Sequence, residues 1–327
     1  MAAGARILAG IVFELIQEDL TSFEERLKGE LRSSVAFIEA IGDDLVGAGG
    51  KRLRPSLSFL AGRLLRADAE RSMLVALAVE LLHSASLLHD DLIDDAQTRR
   101  GSQAAFRRYG NVVSVMSGDF MLARVLDLLA ETGSAAFTRL MSRTAAAICE
   151  GEVLQFQTAT LEDYSFDAYD AVIEGKTAIL LASALEGVAI LADAGEDARR
   201  AVRAYGMRYG RAFQMQDDYL DLLGDAERLG KPVGGDLREG KATYPVLLLL
   251  LEHGVDEVRT ILRRHASREG DVARVVELVE EHGADERTRV RIREEAERAV
   301  EALAGFPGSP AREALTDLAE REIARAR

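Results

Sequence analysis

Hydrophobic residues recur at helical spacing along most of the chain. In residues 74–88 the apolar positions lie three and four residues apart, which predicts a helix with a wide buried face. Comparable stripes cover residues 112–130, 135–158, 167–191, 197–223 and 245–263, and residues 270–327 have the pattern of amphipathic helices with two short breaks. The pattern predicts an all-α protein with one domain over residues 1–327. Its most apolar helices form either a thick core or the wall of a deep cavity.

Composition narrows the possible functions. Of the 327 residues 48% are hydrophobic, enough for a large core, and the net charge of -14 argues against nonspecific nucleic-acid binding. The single cysteine, Cys149, excludes an internal disulfide, and its apolar neighbours predict a buried thiol. The longest apolar run, residues 245–251, is far shorter than the ~20 residues that span a bilayer. We therefore expect a soluble cytoplasmic protein without a transmembrane segment.

Two aspartate clusters follow apolar helical stretches. The first is Asp90-Asp91-Leu92-Ile93-Asp94, and the second is Asp217-Asp218-Tyr219-Leu220-Asp221. Acids four residues apart lie on one helix face, where their carboxylates repel each other unless cations bind. Carboxylate oxygens suit Mg²⁺, which takes one or two of them and completes its shell with water and phosphate. Two such clusters predict a magnesium site that binds a diphosphate, although a single acidic run is more often a solvated face.

Lysine usage gives a second signal. The chain has five lysines, and four of them, Lys51, Lys176, Lys231 and Lys241, directly follow a glycine. A compact ammonium group beside exposed backbone is suited to binding phosphate. The alternative is that these pairs are ordinary helix ends, where cations complement the helix dipole.

Basic residues also flank the first acid cluster. Arg99 and Arg100 follow it within a few residues, and His83 precedes Asp90 by about two helical turns. The arginines could bind the second side of a diphosphate or serve as counter-ions for Asp94 and Asp95.

In order, five blocks of the chain resemble the trans-isoprenyl diphosphate synthase (polyprenyl synthetase) family. They are GKRLRP at residues 50–55, HSASLLHDDLIDDAQTRRG at 83–101, GKT at 175–177, FQMQDDYLD at 213–221 and GKPVGGDLREGKATYP at 230–245. Each block is weak alone, but their order is specific. The sequence departs from the family at Gln103-Ala104, where a proline is usual, and at Gln216, where an apolar residue is usual.

The resemblance implies an isoprenoid-synthase bundle of helices around a central apolar cavity, a homodimer, and condensation of isopentenyl diphosphate with an allylic diphosphate. By position, Asp90 and Asp94 would bind two Mg²⁺ ions and Asp217 a third. Asp91, Asp218 and Asp221 would support them. The residues expected to bind the allylic diphosphate are Arg99, Lys176, Thr177, Gln214, Lys231 and Lys241. Those expected to bind isopentenyl diphosphate are Lys51, Arg54, His83 and Arg100.

The resemblance also implies catalytic roles for Lys176, Thr177 and Gln214. Cleavage of the allylic C–O bond leaves a diphosphate with added negative charge, which cations stabilise where it develops. The Thr177 and Gln214 oxygens could stabilise the allylic cation, while apolar walls exclude water. No protein base is evident, and the departing diphosphate would accept the proton.

Product length depends on what closes the cavity below the metals. The residues about one turn below Asp90 are Ala85 and Ser86, both small, which favours an open tunnel and a product longer than geranylgeranyl. A deeper floor could include Leu81, Leu82, Leu140, Met141 and Thr144. Alternatively, the small residues only allow close helix packing, and the enzyme is a short-chain synthase.

Other classes fit the sequence less well. Terpene cyclases and squalene or phytoene synthases lack the basic block around Lys51, Arg54 and Arg100. A noncatalytic partner subunit would generally lose acids from one cluster, and both are intact here. A di-iron bundle would need Glu-x-x-His pairs, which are absent around either cluster.

Overall fold

Helices dominate the computed structural model, which describes residues 10–47, 52–99, 102–225 and 233–325, apart from the side chains of Ile11, Arg99 and Arg325. The only strands in these ranges are Thr98–Arg99 (β1) and Ser102–Gln103 (β2). They pair antiparallel, with Thr98 opposite Gln103. The prediction of an all-α protein is therefore confirmed.

The described residues contain sixteen helices. The first ten are α1 (Ile11–Glu30), α2 (Ala36–Gly47), α3 (Leu53–Leu65), α4 (Ala69–Ile93), α5 (Ala105–Tyr109), α6 (Asn111–Thr132), α7 (Ala135–Leu161), α8 (Phe166–Ile173), α9 (Ile179–Leu191) and α10 (Glu196–Leu223). A π-helical turn, Glu174–Ala178, joins α8 to α9. The others are α11 (Gly235–Arg238), α12 (Tyr244–Leu251), α13 (Asp256–Arg263), α14 (Asp271–Glu281), α15 (Ala284–Ala302) and α16 (Pro310–Arg325).

The chain divides into two compact units. The first contains the described residues of Met1–Ala145, Leu180–Arg203 and Gly305–Leu318. Its central helix is α4, which packs against α1, α3 and α6. Every residue from 72 to 82 is buried. Helix α4 is long and apolar enough to cross a membrane, but 78% of its most apolar window is buried inside the protein, as in a core helix.

Capping fixes where α4 begins. The Asp68 carboxylate accepts hydrogen bonds from the backbone N–H groups of Glu70 and Arg71, at 2.9 and 3.4 Å. These bonds satisfy donors that the first helical turn leaves unpaired. Twenty-five residues later the helix ends at Ile93, inside the first aspartate cluster.

The second unit contains the described residues of Ala146–Ile179, Ala204–Ala304 and Ala319–Arg327. Its apolar helix α12 packs against α8, α13, α14 and α15. Pro245 lies in the first turn of α12, where its missing N–H costs no intrahelical hydrogen bond. That residues 1–327 form a single domain stays a prediction.

Two of the predicted stripes are each divided between two helices. The stripe at 167–191 contains the π-turn between α8 and α9. The stripe at 245–263 is divided into α12 and α13 near Gly254, whose φ of 64° is left-handed and accessible to glycine at little cost. Apolar spacing alone detects neither break, because the buried positions continue on both sides.

The prediction of a buried Cys149 is wrong. Cys149 is exposed on α7. Glu150 and Val153 are exposed as well, so this part of α7 presents a face that is not covered within the described residues. The apolar run before Cys149 belongs to other faces of the same helix.

Candidate active site

The first aspartate cluster lies at the C-terminal end of α4, in the first unit. Asp90 is half-buried and Asp91 is buried, whereas Asp94 is exposed. The N–H of Asp94 donates to the carbonyl of Asp90 at 2.8 Å, which places these acids one helical turn apart. Asp90 and Asp94 therefore lie on one face of α4, as predicted, with Asp94 at the residue that caps the helix.

Beyond α4 the chain turns sharply. Asp95 has a left-handed φ of 51°, and its carboxylate pairs with the Arg107 guanidinium of α5. The sequence had offered Arg99 and Arg100 as counter-ions and missed Arg107. Arg100 and the side chain of Arg99 lie outside the described residues, so their predicted roles stay predictions. The departure at Gln103-Ala104 falls in β2 and the N-cap of α5.

Two predicted isopentenyl diphosphate contacts are described. Arg54 lies in the first turn of α3 and half-buried His83 lies on α4, and these two helices pack together. Between Arg54 and Lys51, which lies outside the described residues, Arg52 turns inward. Its guanidinium donates to Glu24 at 2.5 and 2.9 Å and to buried Glu80 at 2.8 Å.

The residues expected to set product length also lie in the first unit. Ala85 is buried and Ser86 is half-buried, with its hydroxyl bonded to the His83 carbonyl at 2.9 Å. The candidates for a deeper floor, Leu81, Leu82, Leu140, Met141 and Thr144, are all buried. The Thr144 hydroxyl lies 2.7 Å from that of Ser183 on α9.

The second aspartate cluster lies inside α10, in the second unit. Asp217 is half-buried, and Asp218 and Asp221 are each 7% exposed. Asp218 accepts hydrogen bonds from the Tyr169 hydroxyl at 2.7 Å and the Gln214 amide at 2.8 Å. Asp221 accepts the backbone N–H of Asp236 at 2.9 Å. These bonds fix both carboxylates.

Burial and mutual repulsion perturb the acids of this cluster. Burial raises the pKa of Asp218 to about 6, with a further increase from Asp217, although the bonds from Tyr169 and Gln214 act in the opposite direction. Burial, then Asp218 and Asp221, raise the pKa of Asp236 well above its usual value. A set of crowded carboxylates whose charge is this costly is suited to binding a cation.

Three segments of the second unit meet at one cavity of about 130 Å³. Its polar lining includes Lys176, Thr177, Gln214, Asp218, Asp236 and Lys241. The Thr177 hydroxyl donates to the Gln214 carbonyl oxygen at 2.7 Å, so both predicted cation-stabilising oxygens lie together. The predicted allylic site is thus brought together in part, while Lys231 lies outside the described residues.

Both cavity lysines pair with acids. The Lys176 ammonium lies 2.6 and 2.8 Å from the two carboxylate oxygens of Glu152 on α7. Lys241 pairs with Glu239. The cavity therefore combines cations and carboxylates, as binding of a metal diphosphate requires.

The donor set fits Mg²⁺. No preformed group of three or more histidine, cysteine or acid side chains that could hold a metal occurs in the part of the chain that the structure describes. Carboxylate oxygens such as those of Asp217 and Asp218 suit Mg²⁺, which takes one or two protein carboxylates and completes its shell with water and phosphate.

Comparison with known proteins identifies the family. The sequence profile described as "Polyprenyl synthetase" matches residues 35–279. The chain belongs to the polyprenyl synthetase family. It is 37% identical over 318 residues to the octaprenyl diphosphate synthase of Escherichia coli, an alignment that covers 96% of this chain and 98% of that protein.

Solved structures agree. A polyprenyl synthase from Caulobacter crescentus, complexed with calcium and isoprenyl diphosphate, superposes with a TM-score of 0.89 at 40% identity and covers 97% of each chain. A decaprenyl diphosphate synthase from Rhodobacter capsulatus gives a TM-score of 0.90 at 35% identity, over 97% of this chain and 98% of that one. The predictions of a prenyltransferase and of an isoprenoid-synthase fold are confirmed.

Sequence reasoning missed several residues of this site. Tyr169 has no motif of its own within the five blocks, and its role depends on the tertiary contact with Asp218. Asp236 lies inside the fifth block, in GGDLREGK, so the sequence did contain a signal for it. Glu152 lies in a helix that was interpreted only as apolar.

Proposed function

We propose that this member of the polyprenyl synthetase family condenses isopentenyl diphosphate head-to-tail with an allylic diphosphate to give a long trans-polyprenyl diphosphate. One observation carries the proposal. Lys176, Thr177, Gln214, Asp218 and Lys241, which come from three of its motifs, line one cavity of the second unit. The Asp218 carboxylate suits a metal ion, and the two lysines suit diphosphate oxygens.

The metal sites follow the aspartates. Asp90 and Asp94 would bind two Mg²⁺ ions and Asp217 a third, with Asp91, Asp218 and Asp221 in support. When bound, Mg²⁺ supplies positive charge against the leaving diphosphate. The position of Asp94 at the exposed end of α4 and the hydrogen-bonded state of Asp218 support this division of roles.

The side chains then divide the chemistry. Lys176 and Lys241, with Arg99 and Lys231, hold the allylic diphosphate while its C–O bond breaks. Thr177 and Gln214 direct oxygen lone pairs at the allylic cation, and their mutual hydrogen bond fixes both. The double bond of isopentenyl diphosphate, held by Lys51, Arg54, His83 and Arg100, forms the new C–C bond. The departing diphosphate takes the proton released from the adjacent carbon.

The product is proposed to be longer than geranylgeranyl. Small Ala85 and Ser86 below Asp90 support this length, as does the overall similarity to octaprenyl and decaprenyl synthases. The alternative that a bulky neighbour closes the tunnel early predicts a farnesyl or geranylgeranyl product instead.

We also propose a cytoplasmic homodimer. On α6, Val112, Met116 and Leu126 are 76, 54 and 65% exposed, and their spacing places them on one side of the helix. A second copy would cover such a face. Light scattering of the purified protein, with Met116→Glu as the disrupting variant, tests the assembly.

The decisive test is incubation of the purified protein with Mg²⁺, labelled isopentenyl diphosphate and farnesyl diphosphate. The chain lengths of the dephosphorylated products are then measured. We expect hexaprenyl to decaprenyl products, with none when a chelator replaces Mg²⁺. A geranylgeranyl product would keep the reaction and contradict the open tunnel. No incorporation with any allylic primer would favour a noncatalytic partner subunit.

A further inference from the structure

The π-turn Glu174–Ala178 carries Lys176 and Thr177, two of the residues proposed to act on the allylic substrate. π-turns are rare, and they occur frequently at functional sites. An unusual backbone conformation persists only where contacts with the surrounding structure stabilise it. The contacts around this turn therefore decide where its two functional side chains point.

Backbone packing confines the turn on two sides. A Cβ added to Gly151 of α7 would lie 2.7 Å from the backbone nitrogen of Lys176. One added to Gly210 of α10 would lie 2.5 Å from the Cα of Ala178. Both approaches require glycine, but close packing alone does not prevent the turn from sliding along its neighbours.

A buried guanidinium spans the start of the turn. Arg211 of α10 donates from Nη1 to Glu174 Oε1 and from Nη2 to Asp170 Oδ2, each at 2.6 Å. Asp170 belongs to α8, whereas Glu174 is the first residue of the π-turn. Buried Glu295 of α15 lies 3.5 Å from Nη2 and provides further negative charge. One rigid group thus holds residues on both sides of the junction.

Arg211 lies outside the cavity but in line with its functional residues. Arg211, Gln214 and Asp218 are three and four residues apart, so they share one face of α10. Along this face Arg211 binds Asp170 and Glu174, Gln214 binds Thr177, and Asp218 binds Tyr169. The line of contacts ties α10 to α8 and the π-turn at successive helical turns.

We propose that Arg211 is a positioning residue that holds the π-turn in the register at which Lys176 and Thr177 face the cavity. The proposal rests on the proposed role of those two residues in binding the allylic substrate. It predicts that loss of the Arg211 side chain weakens binding of the allylic substrate and spares isopentenyl diphosphate, because the isopentenyl diphosphate contacts come from other segments.

Arg211→Met and the matched control Arg208→Met test the proposal. Arg208 lies one turn earlier on α10 and donates to the same Glu295, at 3.0 and 3.3 Å. For Arg211→Met we expect a rise of about tenfold to a hundredfold in the KM for farnesyl diphosphate, with the KM for isopentenyl diphosphate nearly unchanged. Hydrogen exchange of the amides of residues 174–178 should accelerate. Arg208→Met should leave both readouts at the wild-type level.

Equal effects of the two variants on KM and on local exchange would overturn the proposal. If Arg211→Met does not fold, Glu174→Gln removes the negative charge from one of the two side chains that Arg211 contacts, at a half-exposed position. It should raise the KM for farnesyl diphosphate severalfold and accelerate the same amides, and no change in either would also overturn the proposal. Hydrogen exchange needs no turnover, so a failure of the proposed reaction can be told apart from a failure of the positioning role.

Discussion

The two aspartate clusters share one motif but have different surroundings. In the first, α4 ends at Ile93, and Asp94 and Asp95 are exposed. In the second, α10 continues through the motif, and Asp221, the counterpart of Asp94, is buried and accepts a backbone N–H, while the middle acids Asp91 and Asp218 are buried in both clusters. The motif therefore specifies which acids are present, while the position of the helix end specifies how rigidly their carboxylates are held.

The carboxylates of the two clusters therefore differ in how much hydration they lose when the protein folds. An exposed carboxylate retains water until a cation binds, whereas a buried one has already lost it and depends on protein donors. Burial raises the pKa of Asp218 to about 6, which expresses that cost. We expect the second cluster to depend strongly on its neighbours and the first mainly on its own acids.

The largest expected effect comes from the acids themselves. Asp90→Ala, Asp94→Ala and Asp217→Ala should each lower kcat/KM by at least about a hundredfold, because each removes charge that holds the metal against the leaving diphosphate. Labelled isopentenyl diphosphate incorporation measures the loss, and circular dichroism should show an unchanged helix content. Exposed Asp197→Ala is the control. Near-normal rates in all three variants would contradict the metal assignment.

Product length is proposed to depend first on the small residues of α4 that lie below Asp90. Ala85→Phe should shorten the product by several isoprene units, because the ring would occupy the space below Asp90. Ala189→Phe on α9 overfills another fully buried position of the same unit, at a cost of about 1–3 kcal/mol, and should leave the product length unchanged. An unaltered product from Ala85→Phe would place the limiting wall elsewhere.

The dependence of the second cluster on its neighbours can be tested at Tyr169. Tyr169→Phe removes the hydroxyl that donates to Asp218 and should lower the free energy of unfolding by about 1.5–3 kcal/mol, the range for a hydrogen bond to a charged group. Urea denaturation measures this change. Tyr164→Phe, which removes a hydroxyl from the lining of the same cavity, should have a smaller effect. Equal losses would show that the bond to Asp218 adds little.

Gln216 tests whether every buried polar side chain of α10 needs a hydrogen-bond partner. It is fully buried, and neither amide atom has a hydrogen-bond partner among the described residues. Gln216→Met should therefore raise the free energy of unfolding by about 1–2 kcal/mol and leave turnover unchanged. A loss of stability on urea denaturation would mean that the amide is paired in the folded protein.

The smallest effect is expected beside the first cluster. Arg107→Met removes the partner of Asp95, whose side chain is largely exposed, and should change the free energy of unfolding by about 0.2–1 kcal/mol. Thermal unfolding at low and high salt measures this, since screening should remove most of the difference. A larger change, insensitive to salt, would show that the end of α4 is as strongly held as the second cluster.

The sequence by itself determined the helical class and the bounds of three long helices, and it indicated the chemistry proposed for the site. Apolar spacing placed α6, α7 and α10 to within a few residues because helix burial repeats every three to four residues. The acids and the glycine-lysine pairs indicated metal and diphosphate, because few other ligands suit those groups together. Cys149 was misjudged because its immediate neighbours do not reveal which helix face is covered.

Only the tertiary structure decided which neighbours hold the side chains of the site in place. The contacts of Tyr169 with Asp218, of Glu152 with Lys176 and of Arg211 with the π-turn join residues 24 to 49 positions apart. Local spacing says nothing about such pairs, because they depend on which helices pack together. The π-turn itself interrupts a continuous apolar stripe, and its close approaches to Gly151 and Gly210 are tertiary contacts that periodicity does not reveal.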